Sequence, residues 1–301
     1  CTGYNDGGAL VTVTGSVPAY TYLWPNGETT LNPVSLSSGL QNVIVTDANS
    51  CTTSTSIVLT EPTPLQTTII STANYNGYDI SCTGYSDGGI DLGVMGSVPG
   101  YTYLWNTADI TEDLINLLAG SYSVDITDAN SCTTSTSIFL TEPTPLQTAV
   151  VSSSNYNGYD ISCAGYSDGG IDLDVSGSVP GYTYLWSNSW NTQGIYGITA
   201  GVYSVDITDA NSCTTSTSIV LTEPTPLQTT IVSTMDYNTY DISCTGYSDG
   251  GIDLNVTGSV GGYTYLWLNS GATTQDLINL SAGSYSVDIT DVNSCTTSTS
   301  I

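Results

Sequence analysis

A period of 81 residues runs through the whole chain and constrains its fold more than any other feature. The string Cys-Thr-Gly-Tyr-Ser-Asp-Gly-Gly begins at Cys82 and at Cys244, and it returns at Cys163 with Ala in place of Thr. A fourth version begins at Cys1 with Asn in place of Ser. A fixed period of this size indicates tandem copies of one small structural unit that packs against its neighbours.

The boundaries between copies are marked by the linker Glu-Pro-Thr-Pro-Leu, which starts at Glu61, Glu142 and Glu223. Its prolines favour an extended backbone. We therefore divide the chain into four repeats: 1–64, 65–145, 146–226 and 227–301. In this frame the first repeat lacks its first strand and the fourth lacks its last. Either the chain is an excerpt of a longer array, or subunits join head to tail and complete each other by strand addition.

The pattern within each repeat predicts antiparallel β-strands. Ile90, Leu92 and Val94 alternate with small or polar residues, and Val124 and Ile126 do the same. About seven short strands in 81 residues predict an immunoglobulin-like sandwich with the Trp of the middle strand in its core. The segment before Tyr122 is typical of a tyrosine corner. We expect an all-β tandem array of four such sandwiches, forming an elongated filament.

The charge balance excludes several functions. The chain has no Lys, Arg or His and 27 acidic residues, giving a formal net charge of −27. No side-chain salt bridge can form, and the chain would repel the phosphates of nucleic acids. Catalytic groups that need His, Lys or Arg are also absent, so we expect no enzyme. No apolar run approaches the ~20 residues of a membrane-spanning helix.

The eight cysteines follow the period, with spacings of 50 or 51 and 31 residues. They are Cys1, Cys51, Cys82, Cys132, Cys163, Cys213, Cys244 and Cys295. An even number at regular spacing predicts disulfides in an oxidising, extracellular compartment. Pairing within a repeat, as in Cys82 with Cys132, would contribute about 4 kcal/mol of stability. The alternative is pairing between neighbouring repeats, as in Cys82 with Cys213, because a sandwich can place Cys82 and Cys132 at opposite ends.

Recurring aspartates near both cysteines are candidate ligands for Ca²⁺, which prefers oxygen donors. The candidates are Asp79, Asp87, Asp128, Asp160, Asp168, Asp209, Asp241, Asp249 and Asp291. The alternative is that these side chains cap the backbone of their own turns. No other cofactor is expected. Asn255-Val-Thr and Asn279-Leu-Ser fit the N-glycosylation sequence, but only the fourth repeat has them.

These motifs resemble the SprB-type repeat of bacterial cell-surface adhesins associated with gliding motility, which is similar to immunoglobulin-like and PKD-like surface modules. The resemblance rests on the opening at Cys82, on Pro-Gly-Tyr-Thr-Tyr-Leu-Trp ending at Trp105, on the Tyr122 and Cys132 motifs, and on Thr-Glu-Pro at 141–143. Ser131 departs from it, standing where the family usually has Gly, as does Gly261, which stands in place of Pro. The resemblance implies long secreted stalks on the outer cell surface.

We therefore predict a structural and adhesive extracellular fibre or stalk on a microbial cell surface. Its expected partners are neighbouring repeats or subunits of the same kind, together with surface glycans. The alternative is a glycan- or ligand-binding module that uses the variable segment after the Trp strand. That segment covers residues 25–39, 106–120, 187–201 and 268–283, and variable loops on a repeated scaffold are common recognition sites.

Overall fold

A computed structural model describes residues 1–15 and 17–301, and its regular structure is entirely β-strand. The described residues thus include no helix long and apolar enough to cross a membrane. The strands of the first repeat are β1 (Thr21–Leu23), β2 (Gly39–Thr46) and β3 (Thr52–Leu59); those of the second are β4 (Gln66–Ser71), β5 (Gly88–Met95), β6 (Thr102–Trp105), β7 (Leu114–Leu117), β8 (Gly120–Thr127) and β9 (Thr133–Leu140).

The last two repeats have the same six strands as the second, so the expectation that the fourth repeat lacks its last strand is wrong. In the third they are β10 (Gln147–Ser152), β11 (Gly169–Ser176), β12 (Thr183–Trp186), β13 (Ile195–Ile198), β14 (Gly201–Thr208) and β15 (Thr214–Leu221); in the fourth, β16 (Gln228–Ser233), β17 (Gly250–Thr257), β18 (Thr264–Trp267), β19 (Leu277–Leu280), β20 (Ser286–Thr290) and β21 (Thr296–Ser300). The chain divides into two compact units, residues 1–143 and 144–301. Their boundary falls within the predicted linker that begins at Glu142.

Each six-stranded repeat is a sandwich of two antiparallel three-stranded sheets. In the second repeat the sheets have the orders β4-β5-β7 and β6-β8-β9. This is the immunoglobulin-like order A-B-E over C-F-G, so the predicted fold class is confirmed. The repeat has six strands rather than about seven, because residues 106–113 pass from one sheet to the other without forming a strand.

The first repeat keeps only the C-F-G sheet, in the order β1-β2-β3. Of the residues equivalent to strand B, those that are described form the bridge between Gly7 and Leu36 and a backbone hydrogen bond from Ala9 to Pro33. No other described strand pairs with them, and an antiparallel ladder needs a paired neighbour.

The predicted alternation produces the core of each sandwich. In the second repeat Ile90, Leu92, Val124 and Ile126 are buried around Trp105. The indole Nε1 of Trp105 donates to the Thr111 carbonyl at 2.8 Å, which satisfies its polar atom inside the core. The equivalent tryptophans of the other repeats make the same kind of bond, to Thr30, Thr192 and Thr274.

The tyrosine corner is confirmed in the three six-stranded repeats. Tyr122 Oη donates to the carbonyl of Leu118 at 2.9 Å, and Tyr203 and Tyr285 bond the equivalent carbonyls. In the first repeat a buried Gln41 occupies this position, and its Nε2 donates to the Ser37 carbonyl at 3.0 Å. Gln therefore keeps the hydrogen bond of the corner without the aromatic ring.

The Gly-Gly pair of the opening motif is required by packing. A Cβ on Gly88 would lie 2.5 Å from Ile80 Cδ1 and 3.0 Å from the Leu117 carbonyl oxygen. The ladder between β5 and β7 also shifts register between Gly88 and Gly89. Close backbone approach at such an irregularity favours glycine, so strand B begins where the motif ends.

Candidate functional site at the junction between repeats

The two cysteines of a repeat lie at opposite ends of its sandwich. Cys82 precedes β5, whereas Cys132 lies in the turn between β8 and β9. The far end of β5 approaches that turn, because Ala129 N–H donates to the Val98 carbonyl at 3.4 Å. The eight residues of β5 span about 26 Å at ~3.3 Å per residue. A disulfide needs Cα atoms within about 7 Å, so Cys82 and Cys132 cannot pair.

The disulfides instead join neighbouring repeats. Cys1 bonds Cys132 and Cys163 bonds Cys295, with Cα separations of 5.4 and 5.6 Å. In each pair the first cysteine of one repeat meets the second cysteine of the following repeat. The preferred prediction of pairing within a repeat is therefore wrong, and pairing between neighbouring repeats is correct.

Two of the eight predicted disulfide cysteines are not bonded. Cys82 and Cys213 are disulfide-bonded, but Cys51 and Cys244 are free and exposed. Each observed bond pairs the first cysteine of one repeat with the second cysteine of the next. Within residues 1–301 neither Cys51 nor Cys244 has a counterpart of that kind.

A polar contact surrounds the bond between the third and fourth repeats. Asn293 Nδ2 donates to the carbonyls of Tyr156 at 3.3 Å and Ser162 at 3.1 Å. Asn293 Oδ1 accepts a hydrogen bond from Asn157 Nδ2 at 2.5 Å. The Asn two residues before the second cysteine thus recognises the loop that carries the first cysteine of the preceding repeat.

Asp128 holds the turn that carries the second cysteine, Cys132, through hydrogen bonds within its own repeat. Its Oδ1 accepts from the N–H groups of Asn130 at 2.9 Å and Cys132 at 2.7 Å. Its Oδ2 accepts from the Ser97 hydroxyl and from Val98 N–H. The carboxylate therefore ties the F–G turn to the B–C connection. The hydrogen bond from Ser97, helped by those from the backbone, lowers the pKa of Asp128 below its ordinary value.

Asp209 repeats this arrangement in the third repeat. Burial acts to raise its pKa, but hydrogen bonds from Ser178, Val179, Cys213 and Asn211 outweigh burial and lower it. Asp291 receives the same set of hydrogen bonds in the fourth repeat, from Ser259, Val260, Asn293 and Cys295. In these three repeats, backbone N–H groups and a serine hydroxyl thus stabilise the carboxylate in place of the cations that the chain lacks.

The aspartates near the first cysteine brace the other end. Asp79 Oδ2 accepts from the N–H and the hydroxyl of Thr141, both at 2.8 Å, and Asp160 does the same with Thr222. Burial acts to raise the pKa of Asp79, but these hydrogen bonds outweigh burial and lower the pKa below its ordinary value. Asp87, Asp168 and Asp249 each accept from the N–H of the Ser before the first cysteine, Ser81, Ser162 and Ser243.

The linker contacts the repeats on both of its sides. Glu142 Oε2 accepts from Gly84 N–H at 2.7 Å, and the Pro143 carbonyl accepts from the Thr83 hydroxyl. The Thr144 carbonyl accepts from Ser178 N–H in the next repeat at 2.9 Å. The predicted linker is thus hydrogen-bonded to the repeat on each of its sides.

Among the candidate calcium ligands, Asp128, Asp209 and Asp291 cap their own turns, whereas Asp79 and Asp160 bond threonines 62 residues further along the chain. No group of three or more acidic or cysteine side chains among the described residues is arranged to hold a metal ion. Asp241 lies exposed beside Ile242, and the other eight candidates accept hydrogen bonds within their own repeats. Calcium binding stays a prediction. The predicted glycosylation residues Asn255 and Asn279 are both exposed, on β17 and β19, and their modification also stays a prediction.

Sequence reasoning missed Asn293, Glu142 and the serines that bond the buried carboxylates. Asn293 belongs to the motif Asp-x-Asn-Ser-Cys, which recurs in all four repeats. In every repeat this Asn lies two residues before the second cysteine, and in the observed disulfides that cysteine pairs with a cysteine of another repeat. This regular position is the sequence signal for a contact between repeats.

The SprB repeat family model matches the chain at residues 1–29, 75–109, 156–191 and 237–272. In these four segments the chain is similar to the SprB repeat. Each match runs through the first cysteine and the Trp strand, so the family pattern covers the part of the repeat that presents the first cysteine. The F–G turn with the second cysteine lies outside the matched residues.

Several solved structures of tandem domains match the chain at low sequence identity. A tetra-tandem repeat from the extending region of a large adhesion protein has 12% identity and a TM-score of 0.28, covering 100% of this chain and 92% of that one. A Ca²⁺-stabilised adhesin from an Antarctic bacterium that binds ice has 15% identity and a TM-score of 0.34, covering 98% and 93%.

The eight N-terminal immunoglobulin domains of the Down Syndrome Cell Adhesion Molecule have 8% identity and a TM-score of 0.26, covering 99% of this chain. This chain spans 57% of that structure. No curated protein sequence matches the chain.

The disulfide between repeats gives a first prediction. Replacing both Cys163 and Cys295 by Ser should lower the free energy of unfolding by about 2–5 kcal/mol, because the bond closes a long loop in the unfolded chain. Urea denaturation of the oxidised chain measures this. Cys51→Ser is the control and should change stability by less than about 0.5 kcal/mol, since Cys51 is exposed and unbonded.

The pairing itself can be mapped in the same material. Cleavage after aromatic residues without reduction should release one linked peptide pair that contains Cys163 and Cys295. A pair that links Cys163 to Cys213 would contradict the structure.

The lowered pKa of Asp209 gives a second prediction. A carboxylate whose folded pKa lies below the unfolded value of about 3.9 stabilises the fold above that pH, and the contribution is lost as the pH falls through the folded pKa. Asp209→Asn should therefore lower the melting temperature most above about pH 5 and least below about pH 3. Asp206→Asn removes the same charge from an exposed position, so an equal pH dependence in both variants would contradict this role.

Proposed function

We propose that this chain is a load-bearing segment of an extracellular adhesive fibre or stalk on a microbial cell surface. The observation that carries the proposal is the disulfide between successive repeats. Each bond joins residues 131 or 132 positions apart in the sequence. A force along the chain would therefore act across covalent bonds from one repeat to the next, and the folded domains would be protected from extension.

The composition supports an extracellular location and a non-catalytic role. Disulfides persist in oxidising compartments outside the cell, and the resemblance to surface adhesins implies the same place. A net charge of −27 keeps separate chains soluble through mutual repulsion. Without Lys or Arg, the chain offers no cleavage site to proteases that cut after basic residues.

Pulling single molecules by their two ends tests the proposal. The oxidised chain should resist extension, because the segments closed by Cys1–Cys132 and Cys163–Cys295 cannot lengthen. Reduction should add an extension on the order of 90 nm, at ~3.5 Å per released residue. The control is the Cys51→Ser chain, which keeps both bonds and should behave like the parent. Equal extension before and after reduction would overturn the proposal.

A second candidate function is glycan binding through the variable segment of the third repeat. The observation that favours it is Trp190, whose side chain is 44% exposed in that segment. An exposed aromatic ring offers an apolar face with a polar edge to a ligand. This face is absent from the corresponding segments of the other three repeats, which contain no second Trp.

A glycan array probed with the whole chain separates the two functions. A ligand-binding module should give selective signals that fall at least tenfold in Trp190→Ala and persist in Ile110→Ala, which removes an exposed apolar side chain from the second repeat. A pure stalk should bind no glycan in any of the three forms.

A further inference from the structure

The outward side of the C-F-G sheet in the first repeat lacks a carboxylate that the other repeats carry there. In those repeats a Leu on strand C lies directly opposite an Asp on strand F; the pairs are Leu104–Asp125, Leu185–Asp206 and Leu266–Asp288. In the first repeat Leu23 lies opposite Ile44 instead. Direct cross-strand neighbours have Cβ atoms about 5 Å apart, so two adjacent aliphatic side chains here replace an apolar–acidic pair.

This replacement is part of a change along the whole outward side of β2. Leu40, Asn42 and Ile44 point outward from that strand, and their counterparts in the second repeat are Ser, Ser and Asp. The inward residues Val43 and Val45 keep the apolar character that the core requires. The difference between the repeats on these alternate positions therefore adds apolar surface on the side that faces solvent.

Four apolar side chains form this outward surface, which we call the first-repeat face: Leu23, Leu40, Ile44 and Val58. They are 39–67% exposed, and Leu40 lies directly opposite Val58 in the ladder. Strands β1, β2 and β3 contain no acidic residue. The first-repeat face is thus an uncharged, partly apolar surface on a chain of net charge −27, and exposed apolar patches of this kind mark interaction sites.

The exposure of the first-repeat face does not depend on the A-B-E sheet, which would cover only the other side. Leu104, Leu185 and Leu266 lie in repeats that have both sheets, and they are exposed to a similar extent as Leu23. Val58 likewise matches its exposed counterparts on β9 and β15. What distinguishes the first-repeat face is its chemistry.

The lost carboxylate indicates the kind of partner that fits. Replacing Asp by Ile weakens attraction to a cationic partner and removes repulsion towards an acidic one. The chain itself is acidic and has no Lys, Arg or His, so two copies repel each other where their carboxylates face one another. The first-repeat face allows two copies to meet without this repulsion.

The layout of the first-repeat face also matches itself. Ile44 and Leu40 lie two residues on either side of Asn42, and each has an apolar cross-strand neighbour. A two-fold contact uses the same patch on both copies, so an axis near Asn42 places the Ile44 end of one copy on the Leu40 end of the other. The amide of Asn42 both donates and accepts, and it can therefore hydrogen-bond its own copy.

We propose that the first-repeat face docks on the same face of a second copy of this chain, about a two-fold axis near Asn42. This contact joins two stalks side by side, which goes beyond the proposed function along a single chain. The C-F-G face measures about 26 Å by 14 Å, from ~3.3 Å per residue and ~4.8 Å between strands. Two such faces bury less than the ~1,200 Å² of a small stable interface, so we expect weak, reversible association.

Sedimentation equilibrium of the oxidised whole chain over a range of concentrations tests this contact. The chain carries Cys51→Ser and Cys244→Ser, which remove the exposed thiols as a source of covalent dimers. It should form a dissociable dimer whose dissociation constant falls as salt is added, because salt screens the repulsion between the copies. A chain that stays monomeric at every concentration, or association that weakens with salt, would overturn the proposal.

Substitutions on the first-repeat face give the second test. Ile44→Asp introduces the residue that the other three repeats have at this position, so the fold should keep its melting temperature. The dissociation constant should rise at least about tenfold, since an unpaired carboxylate enters the contact. Leu40→Ser, which introduces the residue of the second repeat, should weaken the dimer in the same direction.

Val202→Asp is the matched control. It adds the same charge to an exposed outward position on strand F of the third repeat, and it should leave the dissociation constant nearly unchanged. An equal loss of dimer in Val202→Asp and Ile44→Asp would show that net charge, and not the first-repeat face, controls association.

The two-fold arrangement is tested by Asn42→Cys in the chain that carries Cys51→Ser and Cys244→Ser. With glutathione disulfide as the oxidant, the introduced thiols should form covalent dimers several-fold faster than those of Ser204→Cys, at the corresponding exposed position of the third repeat. Equal rates would contradict the two-fold contact. Single-molecule pulling reports only on bonds within one chain, so failure of this contact is distinguishable from failure of the proposed stalk function.

Discussion

The strand order of the sandwich fixes the covalent structure of the whole array. Strand B starts beside the first cysteine and ends beside the turn that carries the second, so the two cysteines of a repeat are separated by the length of a strand. In a tandem array, strand G of one repeat leads into strand A of the next. The start of strand B in one repeat therefore faces the F–G turn of its successor, and this contact places Cys163 next to Cys295.

The chain must also hold the loops at the two ends of each sandwich in place without any cationic side chain. Buried carboxylates in proteins are commonly neutralised by Lys or Arg, or they bind metal ions. Here Asp128 is 5% exposed and accepts four hydrogen bonds from its own loops. Backbone N–H groups and a serine hydroxyl supply the positive ends of dipoles, which stabilise the charged form as a hydrogen-bonded anion. The same acidic residues that suggested calcium are thereby part of the loop structure.

The strands and the tyrosine corner depend on the local residue pattern and could be predicted from the sequence. The cysteine pairing and the contacts between loops depend on how the strands are oriented in the sandwich and could not. Alternation identified the strands that bury Leu92 and Val124, and the spacing before Tyr122 identified the corner. Spacing along the chain does not reveal which end of a sandwich a cysteine occupies. Pairing of Cys82 with Cys132 was therefore the preferred prediction, and it is wrong because the two cysteines lie at opposite ends of the sandwich. The functions of Asp128 and Asn293 depend on contacts with loops 30 and more than 130 residues away.

Ser131 shows how a departure from the family pattern acquires a physical meaning in the structure. Its φ is 62°, and the equivalent Ser50, Ser212 and Ser294 have values of 63°, 68° and 68°. This left-handed region favours glycine, the residue that the family usually has at this place. Serine keeps the same turn, because Asp128 bonds the N–H groups on both sides of it.

Disulfides between neighbouring repeats change how an array of repeats responds to unfolding. In a simple tandem array each domain unfolds by itself, and its neighbours affect it only through their interfaces. In this chain the loop closed by Cys1 and Cys132 contains Cys82, which is itself disulfide-bonded, and the loop closed by Cys163 and Cys295 contains Cys213, which is also bonded. No described repeat is closed on itself. Loss of structure in one repeat of a bonded pair therefore leaves it attached to its folded partner as long as the bond between the two is intact.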